Sequence, residues 1–474
     1  MSSSPDFLWV LVFGLAMGLC FIYVIIGTED LILDLFAMFK GLKPKKIKHS
    51  ELHLLTELPQ KKIAILVPAW KEGEIIGQML YGNLTQIRYD NYLFYVGCYP
   101  NDSGTIKAVQ NVSQSDSRVI PLINNKPGPT SKGQMLNQIL NGIRDSTEVL
   151  DIDAYLLHDS EDVIDPWALQ LINYKLQRYD FIQIPVFSLN VNIHELVAGT
   201  YVDEFAESHT KDLLVRDYLG AAIPSAGVGT AFSAKLADSL YRKQGWVFYE
   251  DSLTEDYELG IRSHALKFKG TFACYWFQDP QSHRPHYIAT REYFPKKVMR
   301  SIRQKTRWTT GISIQGWRNL GWCGSFINRY FLYRDRRGLA TNILAFIGYP
   351  TAMLMALFYL NHSMQQLPLS KTELIFIGTA LGFNSLLMLN RLVQRSACVF
   401  RVYGVRALWL LPIRWPLSVF VNSVACFNAI LHSVTSRMRK EPVKWVKTDH
   451  ELPLGFGVEP ILSINIKAQE RQAV

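Results

Sequence analysis

Apolar runs of two kinds alternate along the chain, and they divide it. Residues 7–27 form a nearly uncharged apolar stretch, long enough to cross a bilayer. Residues 339–360 and 373–391 repeat that signal, the second short enough to need Arg391 at its edge. Residues 404–435 are apolar but carry Pro412, Arg414 and Pro416, so an interfacial or re-entrant pair of membrane helices is expected there rather than a span. Between the first two spans the runs shorten. Ile63 to Val67, Leu93 to Tyr99, Val119 to Ile123, Tyr155 to Leu157 and Phe181 to Val186 have the length and composition of buried strands, with helical periodicity between them, as at Gly133 to Ile143. Strands alternating with helices predict an α/β domain with a mostly parallel sheet over 61–330, inserted between transmembrane helices.

Charge orients this layout. Lys40, Lys43, Lys45, Lys46 and Lys48 follow the first span, so the domain is expected on the cytoplasmic side. Positive charge after the apolar stretch, not before it, also argues against a cleaved signal. Residues 28–48 read as an interfacial amphipathic helix and a basic linker. A tail over 436–474, with Arg437, Arg439, Lys440, Lys444 and Lys447, is expected to be cytoplasmic too. The net charge of +9 clusters beside apolar segments, which suits anionic lipid headgroups, and no nucleic-acid-binding motif accompanies it. Six scattered cysteines form neither a CxxC pair nor a zinc spacing, so a reducing compartment is expected.

Ligands of open parallel sheets bind beyond the carboxyl ends of the strands, and polar clusters recur there. Pro68 to Glu72 follows the first strand. Asn101-Asp102-Ser-Gly-Thr follows the second, where Asp102 is either an acceptor for a base or ribose, or the start of an Asx turn. Lys132 opens a helix, a suitable place to hold a phosphate, or is simply solvated. In His158-Asp159-Ser-Glu161-Asp162, Asp159 and Glu161 project to one side of an extended segment and suit a divalent cation on a diphosphate; the alternative is an acidic turn before Asp165-Pro166. Ser252 and Glu255 have capping-box spacing, which leaves Asp256 just inside a helix N-terminus as a charged base. On a helix, Gln304, Arg307 and Trp308 share one face, for a phosphate and a sugar ring, or merely for a membrane surface.

Taken in order, Glu72, Asp102, Lys132, Asp159-Ser-Glu161, Thr254-Glu-Asp256 and Gln304-x-x-Arg-Trp308 resemble the signature of the membrane-bound, processive family 2 glycosyltransferases, the cellulose and hyaluronan synthase type. A narrower resemblance, to one bacterial inner-membrane branch, is carried by Tyr99-Pro-Asn-Asp102, Pro224-Ser-Ala-Gly-Val-Gly-Thr230, Arg291-Glu-Tyr-Phe-Pro295 and Lys444-Trp-Val-Lys-Thr-Asp-His450. Two departures from the family pattern stand out: glutamate in the third position of the D-x-D, and Asn-Asp where many members have Asp-Asp.

The resemblance implies a GT-A fold and an inverting hexosyltransferase that moves a sugar, an N-acetylhexosamine by analogy, from a UDP-sugar to a growing polysaccharide. Pro68, Glu72, Asp102, Lys132, Gln304, Arg307 and Trp308 would bind the donor, and Asp159 and Glu161 would hold Mg²⁺ or Mn²⁺. Asp256, with Glu255 and Arg307, would carry the chemistry. Trp317 and Trp322 would extend an acceptor platform, or belong to an interfacial belt. A multi-pass place in the bacterial inner membrane and an outer-membrane export partner are implied as well. Relatives of this kind often continue into a domain that binds cyclic di-GMP; with the chain ending at Val474, direct control of that kind is not expected. The competing readings are a non-catalytic scaffold or receptor component, and a transferase that adds one sugar to a lipid carrier.

Overall fold

Each predicted strand run lies in a seven-stranded sheet. The computed structural model describes residues 7–146, 151–360 and 370–439, with Leu452 and Phe456 beyond them. The strands of the central sheet are β1 (Ile63–Pro68), β2 (Tyr92–Cys98), β3 (Val119–Ile123), β4 (Ala154–Leu157), β5 (Phe181–Gln183), β6 (Thr230–Ser233) and β7 (Gly270–Phe272). Their spatial order is β7-β5-β6-β4-β1-β2-β3. All neighbours run parallel except β6, which is antiparallel to both β4 and β5. The run expected as one strand over 181–186 is two. β5 ends at Gln183, and after Ile184-Pro185 the chain enters a second, three-stranded sheet as Val186–Ser188. Proline donates no ladder hydrogen bond, so the break falls there.

Apolar cores cover both faces of the central sheet. Ile63, Ile65 and Val67 point to one, Ala64 and Leu66 to the other, all without exposed surface. Such two-sided burial explains why β1 reads as a continuous apolar run. With β1 and β4 side by side, the loops after Pro68 and Leu157 open at one sheet edge.

The membrane-side helices differ from expectation in their bounds. Phe7–Phe39 is one continuous helix, where a span and a separate interfacial helix were expected. Its acidic residues have partners, which is the physical reason that the helix runs on. Arg334 donates to Glu29 and Asp30 at 3.0 Å, Arg337 and Arg391 contact the same Asp30, and Lys211 reaches Asp34 at 2.7 Å. These bonds tie the first helix to the helices Phe326–Leu360 and Lys371–Tyr403 and to the α/β domain. Breaking one such buried pair leaves an uncompensated charge, at a cost of about 3–5 kcal/mol.

Four helices among the described residues are long and apolar enough to cross a membrane, the fourth being Leu411–Arg439. In place of the expected helix pair over 404–435 there is a short turn, Val405–Leu408, and then this single helix with Pro416 in its first turns. Its Arg414 donates to Asp203 at 2.7 and 2.8 Å, and Ser418 and Asn422 donate to Glu204. Leu452 packs on the domain core, and Phe456 lies against Gly82 of the helix Ile76–Gln86. The rest of the tail beyond Arg439, including Lys440, Lys444 and Lys447, lies outside the described residues.

Candidate active site

One open cleft of about 1180 Å³, counting its solvent-filled mouth, collects most of the singled-out residues. Pro68 and Glu72 enter it from the end of β1, Lys132 from the start of the helix Lys132–Asp145, and Asp159 and Glu161 from the loop after β4. Glu255 and Asp256 come from the helix Glu255–Ala265, and Gln304, Arg307 and Trp308 from the helix Val298–Thr309. Residues 236 positions apart in sequence, such as Glu72 and Trp308, face one space because every loop involved leaves the same side of the domain.

Asp102 is not in the cleft wall. It is the N-cap of the helix Ser103–Ser115, where its carboxylate accepts from Thr105 N–H at 3.3 Å and from Lys71 N–H at 2.5 Å. Both oxygens are thus engaged in holding the turn that carries Glu72. Trp317 and Trp322 also stay out: they pair with each other at 5.6 Å, 53% and 42% exposed, with Arg336 over Trp322.

The capping box expected of Ser252 and Glu255 does not form. The helix begins at Glu255 with Thr254 as N-cap, and Ser252 Oγ donates instead to Glu258 at 2.7 Å. Glu255 is therefore free of capping and buried in the cleft. Burial and the adjacent Asp256 charge push its carboxyl up to about 8, which favours its neutral form. Burial raises Asp256 as well, opposed by Lys132, by the Tyr257 N–H that donates to Oδ1 at 2.8 Å, and by Arg307. Lying in the first helical turn, Asp256 also gains from the helix dipole in its charged form.

Lys132 Nζ contacts Asp159 at 2.5 Å, and burial notwithstanding, the charges of Asp159, Glu255 and Asp256 hold the ammonium protonated. The residue expected to hold phosphate and the residue expected to hold metal thus neutralise each other. Behind them the loop is rigidly backed. Asp162 Oδ2 accepts from Asp159 N–H at 2.9 Å and lies 2.7 Å from His158 Nδ1, while Asn83 clamps Asp162 O and Ile164 N–H. Burial and the charges of Asp162, Glu161 and Asp159 push the carboxyl of Glu292 well up, the mark of carboxylates short of positive charge. A divalent cation fits such a donor set. Among the described residues no three His, Cys, Asp or Glu side chains form a cage for it, so an ion here needs oxygens from a ligand as well.

Gln304 Oε1 and Arg307 Nε are buried without a hydrogen-bond partner among the described residues. Two such groups at one wall are costly unless a ligand completes them. Trp308 is held by Tyr201 and Phe205, and Tyr201 stacks on Phe294 at 4.6 Å.

Glu292 and Gly227 line the cleft too, and neither was singled out by its chemistry. Both lie in stretches that carry the narrower resemblance, Arg291 to Pro295 and Pro224 to Thr230, which was the available signal. Gly227 has φ +84°, and a Cβ there would collide with Asp256 Oδ2.

A mostly parallel sheet with this cleft at its loop end is a GT-A-like glycosyltransferase fold. The family described as "Glycosyltransferase like family 2" matches residues 59–311, and the chain belongs to it. Bacteriophage adsorption protein B of Escherichia coli strain K12 is 35% identical over 469 residues, covering 93% of this chain and 62% of that protein. Bacteriophage N4 adsorption protein B of Escherichia coli O157:H7 matches to the same extent. The chain thus spans 62% of the length of these relatives. Among solved structures, the mannosyltransferase PcManGT from Pyrobaculum calidifontis, in complex with GDP-Man and Mn²⁺, shares the fold with a TM-score of 0.52 at 12% identity, over 89% of this chain and 97% of that one.

Proposed function

We propose that the chain is a metal-dependent, inverting and processive glycosyltransferase. It moves a sugar, an N-acetylhexosamine from a UDP-sugar, to a growing polysaccharide at the bacterial inner membrane, in step with export. The observation that carries this reading is the meeting of Asp256, Lys132, Asp159 and the orphaned Gln304–Arg307 pair in one cleft. The name of the curated relatives speaks of phage adsorption, a role that requires no chemistry. A scaffold, however, has no need to bury Glu255 beside Asp256 and Lys132, at the desolvation cost which that entails.

In this mechanism the acceptor hydroxyl attacks the anomeric carbon as Asp256 takes its proton. The new C–O bond forms while the bond from the anomeric carbon to the diphosphate oxygen breaks, and the bonding pair leaves with the diphosphate. One displacement inverts the anomeric centre, with no carboxylate nucleophile. Arg307, and Lys132 once it exchanges Asp159 for a phosphate oxygen, offset the charge on the leaving group. Asp159 and Glu161 would hold a divalent ion, which would supply further neutralisation of that charge. Trp308 stacks on a sugar ring at the acceptor side. Asp102 acts at one remove, by holding the Lys71–Glu72 turn. The complex with GDP-Man and Mn²⁺ in the structural neighbour is in keeping with a nucleotide-sugar donor and a metal.

The test is nucleotide release by purified protein in detergent, given a panel of nucleotide sugars with Mg²⁺ or Mn²⁺. Excess chelator is expected to abolish release, and added Mn²⁺ to restore it. Full activity in chelator removes the metal from the mechanism, and no release with any donor removes catalysis itself.

For the membrane layout, we propose that the domain is cytoplasmic and that the helix Leu411–Arg439 lies along the surface, not across the bilayer. Its Arg414, Ser418 and Asn422 bond to the domain, while Ile413, Phe420 and Phe427 face outward. The contacts of Leu452 and Phe456 with the domain favour a tail on the same side. A reporter fused after Val474 is expected to read as cytoplasmic; an external signal would make this helix a span.

A further inference from the structure

Glu292 is the cleft carboxylate without an assigned task. It ends the strand Thr290–Glu292, which pairs antiparallel with Val163–Ile164, matching Thr290 to Ile164 and Arg291 to Val163. One step further along this register, Glu292 is level with Asp162, beside the loop of Asp159 and Glu161. Its backbone is fixed, since Glu292 O accepts from Leu189 N–H at 2.8 Å. Two residues on, Phe294 stacks on Tyr201 in the cluster that backs Trp308. Glu292 thus stands between the loop expected to hold the diphosphate and the aromatic wall expected to hold sugar. Its carboxylate makes no hydrogen bond or ion pair among the described residues, although it faces the cleft.

Electrostatics narrows what such a group can meet. A carboxyl group pairs well with hydroxyl groups, since its oxygens accept hydrogen bonds. Among the described residues it forms no three-residue metal cage with Asp159 and Glu161. The part of a nucleotide sugar that is neutral and rich in O–H donors is the sugar ring. Building on the donor assignment above, we propose that Glu292 accepts a hydrogen bond from a ring hydroxyl of the sugar carried by the nucleotide donor, and so helps select that sugar. A half-buried acceptor of this kind discriminates, because an analogue lacking the hydroxyl leaves it unpaired.

The experiment compares binding of free nucleotides with binding of nucleotide sugars. Wild type, Glu292→Gln and Glu292→Ala are titrated by calorimetry with UDP, GDP, UDP-N-acetylglucosamine, UDP-glucose and GDP-mannose in the presence of Mn²⁺. Free-nucleotide affinity is expected to stay within about two-fold in both variants, which also reports that they are folded. Affinity for the preferred nucleotide sugar is expected to fall several-fold in Glu292→Gln and about ten-fold or more in Glu292→Ala, the loss of one hydrogen bond. Equal loss for nucleotide and nucleotide sugar would move Glu292 to the diphosphate and overturn the inference, as would unchanged binding of both. Wild type that binds no nucleotide at all defeats the donor assignment itself, a different result from either.

Discussion

Asparagine at position 256 is expected to lower turnover by about two to four decades, the usual contribution of a general base. Asp256→Asn keeps the side chain's size and can still accept the Tyr257 N–H bond that fixes Oδ1. Nucleotide binding is therefore expected to persist. What the variant loses is the proton acceptor. The neighbouring carboxyl provides the contrast: burial and Asp256 favour the neutral form of Glu255, which Glu255→Gln resembles, so that variant is expected to cost far less. Release rates under saturating donor and metal measure both. Near-normal polymer synthesis by a folded Asp256→Asn protein would sink the mechanism. A loss of donor binding in that variant would point to positioning of the donor.

Gly227→Ala is expected to be nearly as damaging, although glycine takes no part in the chemistry. The position is left-handed at φ +84°, which costs a residue with a Cβ about 1–2 kcal/mol. The larger effect is steric, because the added methyl would collide with Asp256 Oδ2 and displace the base. A misplacement of about 1 Å costs on the order of 10²-fold in rate. Gly220 is the control. It is also left-handed, at φ +69°, but a Cβ there meets nothing within 4 Å. Gly220→Ala is expected to lose a little stability and keep its turnover. If Gly227→Ala and Gly220→Ala behave alike in thermal melts and in rate, the close approach to Asp256 has no catalytic meaning.

Much of this site was legible before any coordinates. Lys132, Asp159, Glu161, Asp256, Gln304, Arg307 and Trp308 stand out by their order along the chain, since each cluster alone has a plain structural alternative, and they line one cleft. Order along the chain is one-dimensional, so it can be read without a fold. Glu292 and Gly227 did not stand out. A lone glutamate after a three-residue strand has no periodicity to mark it, and the value of Gly227 lies in a contact with a residue 29 positions away. Asp102 was legible as an alternative, and the coordinates place it as a helix cap. The capping box expected at Ser252 does not form, because Glu255 and Glu258 are both within reach of a serine at a helix start and Ser252 bonds to Glu258. Only the packing of Asn319 against Glu258 and the burial of Glu255 separate them.

The sequence by itself determined the strand runs, the apolar helices and the identity of the motif residues, since burial and residue chemistry act position by position. Tertiary structure alone decided the partners. It joined Lys132 to Asp159, ran the first helix past Glu29 and Asp30 onto the arginines of two later helices, and laid Leu411–Arg439 against the domain. Each of these is a balance between desolvating a charge and meeting its counter-charge, and that balance depends on what the rest of the chain brings near.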